Sequence, residues 1–220
     1  GEMNFKEVVN IDGKNITKNQ KLENLISSCK SDEVVIEVLY TSICGSDMSS
    51  FRHNKEPRVM GHEYSGRVIF SGKSVPRRFT SQNKIFNVQP NIHCHNCLSC
   101  KNKAYSLCEN KVCYGAHLKG GYTEYSKVNY KNLYFYDYVN SKDIICSCLA
   151  EPVSCIIKAV KKSKVNKSDR VLVTGSGYTG LSMIFYMTRH LGVEKIDAID
   201  IKESKRKVSF SLGASAAYNA

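Results

Sequence analysis

Four cysteines in the pattern C-x2-C-x2-C-x7-C, at Cys94, Cys97, Cys100 and Cys108, constrain this chain more than any other feature. Three thiols spaced by two residues, with a fourth further along, can close a tetrahedral shell around one Zn²⁺. Four protein ligands leave no open position, so such a site supports structure rather than catalysis. Free thiols or two disulfides are the alternatives. The regular spacing favours the metal, as does the lack of any secretory leader read in the sequence.

The remaining composition is ordinary. Hydrophobic residues make up 42% and charged residues 24% of 220 positions, which suits one large globular domain or two small ones. No apolar run is long enough to span a membrane. Gly1 and Glu2 before Met3 read as an expression scar outside the fold. Ten cysteines point to a reducing compartment and to metal ligation. The net charge of +12 admits an acidic small substrate or a nucleic acid. The cations are scattered, however, and clusters such as Lys161, Lys162, Lys164 and Lys167 read as solvated surface, so neither a nucleic-acid nor a membrane partner is expected.

Along the first 150 residues, short β-like runs alternate with turns. Val34–Tyr40, Tyr64–Phe70 and Lys84–Val88 are predicted strands, and Gly120-Gly121 opens a further β segment over Tyr122–Val128. Together they predict a mostly antiparallel, barrel-like unit. Beyond Glu151-Pro152 the texture changes. A helix is predicted over Val153–Lys162, a buried strand over Asp169–Thr174, a helix over about Leu181–Leu191 and a strand over Lys195–Ile199. This is the opening of a doubly wound parallel sheet.

Gly175-Ser176-Gly177-Tyr178-Thr179-Gly180 joins the first of those strands to its helix. G-x-G-x-x-G alone is weak, but here a strand precedes it, a helix follows it and an acid ends the next strand. Gly175 would make the tight turn, Gly177 would admit a pyrophosphate and Gly180 would let the helix pack close to the sheet. The helix N-terminus offers free N–H groups to phosphate oxygens. Asp200, 25 residues beyond Gly175, can accept from a ribose 2′-OH. That favours NAD over NADP, although Lys202, Lys205 and Arg206 nearby could hold a 2′-phosphate.

A second metal site is predicted where Cys44 follows a strand and His62-Glu63 precedes one. One thiolate, one imidazole and one carboxylate leave a position for water or substrate. Zinc there would activate an alcohol for hydride transfer to a nicotinamide. Asp47 could fix the tautomer of His62, Ser46 could pass the alcohol proton outward, and Glu151 could be a further ligand, direct or through water. Turn capping by Ser46 and an N-terminal helix acid at Glu151 are the plain alternatives. His93 and His95 are read as exposed. Cys29, Cys113, Cys146, Cys148 and Cys155 are read as buried thiols, with Cys155 also near enough to Glu151 to face the metal.

Cys44-Gly45-Ser46-Asp47, Gly61-His62-Glu63, the four-cysteine lobe, Gly120-Gly121-Tyr122-Thr123-Glu124-Tyr125, Glu151-Pro152 and the glycine fingerprint occur in this order. From about Lys6 onward the chain resembles the zinc-dependent medium-chain dehydrogenase/reductase superfamily. Within it, the chain resembles the polyol branch typified by sorbitol and galactitol-1-phosphate dehydrogenases. The resemblance implies an α/β protein with a β-rich N-terminal part. A GroES-like barrel domain would cover residues 1–152, with its structural zinc lobe at about 90–113. An incomplete Rossmann doubly wound sheet would cover 153–220. The resemblance also implies a catalytic zinc on Cys44, His62 and Glu63 with Glu151 close by, and a structural zinc on the four lobe cysteines. A cytoplasmic setting, and homodimers or homotetramers at full length, are implied as well. Glutamate at Glu151 is similar to the polyol branch, where threonine dehydrogenases tend to have aspartate and typical alcohol dehydrogenases cysteine.

The sequence departs from that pattern in two ways. The family chain is about half as long again, so a fragment with two parallel strands is expected. The segment between Cys44 and His62 carries Arg52, His53, Lys55 and Arg58 where many relatives place a histidine, and these cations could bind a substrate phosphate. The expected activity is NAD-dependent oxidation of a secondary alcohol of a polyol or polyol phosphate. A threonine-type or simple alcohol dehydrogenase is the alternative within enzymes. A non-catalytic zinc-binding module is the alternative of another class, and it would need neither Cys44, His62 and Glu63 nor the fingerprint.

Overall fold

The computed structural model describes residues 3–53, 55–81, 84–136 and 140–220; Gly1 and Glu2 lie outside it. The chain divides into two compact units, Gly1–Glu151 and Pro152–Ala220.

The first unit runs β1 (Asn4–Ile11), β2 (Lys14–Lys21), α1 (Leu22–Ser27), β3 (Glu33–Thr41), α2 (Gly45–His53), β4 (Arg58–Val59), β5 (Tyr64–Ser71), β6 (Ile85–Val88) and β7 (Asn91–Ile92). It continues with α3 (Leu98–Lys101), β8 (Val112–Cys113), β9 (Tyr125–Asn129), β10 (Leu133–Tyr136) and α4 (Ser141–Cys146). Three antiparallel sheets result, with orders β2-β1-β4, β10-β6-β5-β3-β9 and β7-β8.

The five-stranded sheet is organised by β3. Successive side chains of a strand point to opposite faces, and here both faces are covered. Val34 and Ile36 enter a core with Tyr64, Phe86, Val88 and Val128, while Val35 packs on the other side with Phe5 and Leu22. That double burial explains why Val34–Ile36 reads as a continuous apolar run rather than an alternation. The β1–β2 hairpin has a different origin. Its two-residue loop, Asp12-Gly13, holds both residues at positive φ (47° and 68°), the geometry a tight hairpin requires. β2 itself is almost wholly exposed and carries no apolar alternation.

The predicted β segment over Tyr122–Val128 starts later than expected, at Tyr125. Tyr122 and Glu124 instead bond across to three separate strands or their ends. Val8 donates to the Tyr122 carbonyl, Tyr122 donates to Met60, and Val38 donates to the Glu124 carbonyl.

α5 (Ala150–Ser163) starts three residues before the predicted Val153. Pro152 is no obstacle, because the N–H groups of a first helical turn have no intrahelical partner to lose. In the second unit, β11 (Arg170–Thr174), α6 (Tyr178–Tyr186), β12 (Lys195–Ile199), α7 (Glu203–Ser211) and β13 (Ala216–Tyr218) follow. The predicted helix over Leu181–Leu191 begins earlier and finishes as a π-helical turn, Met187–Leu191, closed by left-handed Gly192. Strands β11, β12 and β13 are parallel neighbours over a core of Val160, Val173, Ile184, Met187 and Ile196. Three parallel strands therefore stand where two were expected. Ala216-Ala217-Tyr218 is too short and too poor in β-branched residues to announce a strand, and it is recruited by pairing with Asp197–Ile199.

Phe86 is fully buried at the centre of the first core, in contact with Phe79 and Phe135. Phe86→Ala is expected to lower the stability of this unit by about 3–5 kcal/mol, as read from the midpoint of urea unfolding.

Candidate metal centre and dinucleotide loop

Topology explains how Cys44 meets His62 and Glu63. Cys44 lies three residues past the end of β3, and His62-Glu63 immediately precede β5. These strands are antiparallel neighbours with Thr41 paired to Tyr64, so the end of one and the start of the other share one rim of the sheet. There one ligand atom each from Cys44, His62 and Glu63 lies within 4.8 Å of the others.

The groups around these donors fix their orientation. His62 Nδ1 lies 3.3 Å from Asp47 Oδ1, which leaves Nε2 as the nitrogen available to a metal. Asp47 is buried, and its Oδ2 accepts from the Cys44 N–H at 3.0 Å and from the Tyr122 hydroxyl at 2.8 Å. Glu63, also buried, accepts from Ser42 Oγ, while its backbone carbonyl accepts from Ser42 N–H at 2.9 Å and Thr41 Oγ1 at 3.2 Å. The hydrogen bond to Asp47 raises the pKa of His62 to about 9, although burial opposes the charge. Burial also opposes the charge on Asp47. The hydrogen bonds from His62, the Cys44 amide and Tyr122 outweigh it and hold the carboxyl below the usual range.

The donor set fits a zinc ion. Thiolate, imidazole and carboxylate are its usual ligands, and three of them make an open site. Ser46 stands exposed on the first turn of α2. Glu151 lies in the first turn of α5. Two supporting residues, Ser42 and Tyr122, were not anticipated. Tyr122 lies in the Gly120-Gly121-Tyr122 motif, but nothing local to that motif discloses a hydroxyl aimed at Asp47.

In the cysteine lobe all four Sγ atoms lie within 4.8 Å of one another. Cys94 Sγ is 3.9 Å from Cys100 Sγ and 3.5 Å from Cys108 Sγ. A tetrahedron with Zn–S bonds of about 2.3 Å has edges of about 3.8 Å, so the lobe is dimensioned for that ion. All ten cysteines are free of disulfides. Backbone N–H groups of Asn96 and Cys97 lower the Cys94 thiol to about 6, whereas burial and its sulfur neighbours push Cys100 up to about 12. His95 is exposed, but His93 is half-buried against the Tyr105 ring, so its expected exposure is corrected. Cys146 and Cys155 are exposed rather than buried, Cys29 and Cys113 are half-buried, and Cys148 is buried as expected.

In the second unit Gly175 has φ +85°, and a side chain on Gly175 or Gly177 would meet open space. A Cβ on Gly180 would lie 1.9 Å from the Gly175 carbonyl, so this glycine sets how closely α6 approaches the turn. Asp200 accepts from Ser176 N–H at 2.8 Å and from Lys202 N–H at 2.7 Å. It therefore braces the glycine loop as well as ending β12.

With this geometry in place, the chain can be set against known proteins. Residues 30–136 match the family described as the alcohol dehydrogenase GroES-like domain. The chain carries an alcohol dehydrogenase GroES-like domain. It is 31% identical over 198 residues to the L-threonine 3-dehydrogenase of Caldanaerobacter subterraneus subsp. tengcongensis, covering 86% of this chain and 54% of that one. Galactitol-1-phosphate dehydrogenase from Escherichia coli superposes with TM-score 0.86 at 27% identity, over 98% of this chain and 61% of that one. A short chain alcohol dehydrogenase from Escherichia coli CFT073, complexed with NADH, gives TM-score 0.87 at 25% identity over 100% and 63%. The chain spans about half the length of the curated relatives it matches. Among the described residues, no helix is long and apolar enough to cross a membrane.

Gly180→Ala is expected to destabilise the second unit and to disturb the turn at Gly175, because the new methyl meets backbone rather than a movable side chain. Thermal unfolding of the variant beside wild type, with Gly177→Ala as the tolerated control, measures this.

Proposed function

We propose that the complete protein is a zinc-dependent oxidoreductase that oxidises a secondary alcohol of a polyol or polyol phosphate to a ketone and passes hydride to NAD. The convergence of Cys44, His62 and Glu63 at one rim of the sheet is the observation that carries this reading. Bound zinc would supply a Lewis acid that lowers the alcohol pKa, and the nicotinamide would accept the hydride.

Each residue then has a task. Cys44, His62 and Glu63 hold the metal, and Asp47 keeps His62 in the tautomer that offers Nε2. Ser46, exposed beside Cys44, takes the alcohol proton and hands it to solvent. Glu151, in the first turn of α5, serves as a further ligand, directly or through a water. Cys94, Cys97, Cys100 and Cys108 hold the structural zinc. Gly175 and Gly177 leave room for the pyrophosphate at the N-terminus of α6, and Asp200 takes the ribose hydroxyl in preference to a 2′-phosphate. On this reading residues 1–152 form the zinc-bearing domain, with its lobe at about 90–113, and 153–220 begin the dinucleotide-binding one. The complete chain would act in the cytoplasm as a homodimer or homotetramer.

The substrate class rests on the polyol-type glutamate at Glu151 and on the exposed cations Arg52, His53 and Lys55, suited to a phosphate. L-threonine is the second reading, favoured by the likeness to L-threonine 3-dehydrogenase.

Two measurements on the full-length protein test the proposal. Metal analysis is expected to give two zinc ions per chain, falling to one in Cys44→Ser and, by loss of the other ion, in Cys100→Ser. A spectrophotometric screen of polyols, polyol phosphates and L-threonine with NAD is expected to show reduced nicotinamide with a polyol or its phosphate. A single zinc that survives Cys44→Ser, or no turnover with any of these, would reject the reading. For cofactor choice, Asp200→Ala should cost roughly tenfold in NAD affinity, about 1.4 kcal/mol, and narrow the preference over NADP. An unchanged preference would remove Asp200 from that role.

A further inference from the structure

The inference drawn here rests on the reading of Cys44, His62 and Glu63 as metal ligands and concerns what holds them in place. The contacts that orient them lead to one side chain, Tyr122.

The backbone of Tyr122 is held from two sides. Its N–H donates to the Met60 carbonyl at 3.0 Å and its carbonyl accepts from Val8 N–H at 2.8 Å, while Gly121 N–H donates to the Gly61 carbonyl at 2.8 Å. Residues 120–122 therefore run alongside the segment that leads into His62. The ring of Tyr122 packs against Gly61, where φ is +89° and a Cβ would stand 2.6 Å from a ring carbon. Ring and glycine thus fix the backbone immediately before His62 and Glu63.

The hydroxyl acts on the other side of the cluster. It donates to Asp47 Oδ2 at 2.8 Å and lies 3.4 Å from the Ser42 carbonyl. A phenol has one proton to give, and the nearer, charged acceptor takes it. Asp47 in turn faces His62 Nδ1 through Oδ1 and accepts the Cys44 N–H through Oδ2. Ser42 bonds both the side chain and the backbone of Glu63. Through Asp47 the hydroxyl is linked to two of the three donors, His62 and Cys44, while the ring packs on the glycine that precedes His62 and Glu63.

We propose that Tyr122 is a positioning residue of the metal centre, its hydroxyl fixing Asp47 and its ring fixing the Gly61–Glu63 segment. Phenylalanine at 122 keeps the ring and the backbone bonds but leaves the buried Asp47 carboxylate one donor short. Asp47 is then free to turn, and with it the His62 ring and the Cys44 amide. Losing an outer partner of a metal ligand typically lowers metal affinity 10–100-fold.

The test uses full-length protein stripped with a chelator and titrated with Co²⁺. Wild type is expected to take two equivalents, the second showing the visible bands of a site with mixed sulfur, nitrogen and oxygen ligands. Tyr122→Phe should bind the first equivalent unchanged and the second about 10–100-fold more weakly, with those bands shifted. In an Asp47→Asn background the same substitution should have little further effect, because both act on one contact. Equal weakening of both equivalents would mark Tyr122 as merely structural and overturn the inference. So would an unchanged second equivalent, or additive losses in the double variant. If wild type takes only the lobe's equivalent, the metal-centre reading itself fails, a result distinct from an unaffected Tyr122→Phe.

Discussion

A carboxylate as deeply buried as Asp47 is costly unless it is paired and hydrogen-bonded. Three groups meet that demand: the Cys44 amide, three residues away, and, from further along the chain, the His62 ring and the Tyr122 hydroxyl. Removing any of them would leave a buried charge undersatisfied. This makes the cluster mutually dependent and gives the His62 ring a single orientation. The rim of the five-stranded sheet is where these elements can meet, because β3 ends and β5 begins there side by side.

The glycines around that rim make the meeting possible. A Cβ on Gly120 would stand 2.2 Å from the Gly61 carbonyl, closer than any real side chain allows. The two segments can lie together only because neither carries a side chain at the crossing. The Gly120-Gly121 pair thus does more than open a strand. It brings Tyr122 beside Gly61 and lets the ring settle there. The second unit uses glycine in the same manner, with Gly180 against the Gly175 carbonyl, and adds a carboxylate, Asp200, as the brace of the turn.

Much of the scaffold is legible in the sequence. Val34–Ile36 stands out because burial on both faces demands an unbroken apolar run, and Lys195–Ile199 because its buried residues, Ile196 and Ala198, alternate with partly exposed ones. The four cysteines stand out because a tetrahedral ion dictates their spacing. β2 could not be read by alternation, because an exposed strand needs none; its signal was the Asp12-Gly13 turn. β13 could not be read either, since three residues of weak propensity become a strand only when β12 offers its edge. The early start of α5 and the half-buried His93 were misjudged for a related reason: burial and helix entry are set by neighbours rather than by the residue.

By itself the sequence determined the ingredients of this protein: two sets of metal-binding residue types, a glycine turn between a strand and a helix, and the order in which they occur. These are local properties, fixed by spacing along the backbone. Only the tertiary structure decided that Tyr122, 75 residues from Asp47 along the chain, completes the hydrogen bonding of its carboxylate. Strand register and the close approach of glycines set that distance, and neither is encoded within any single segment.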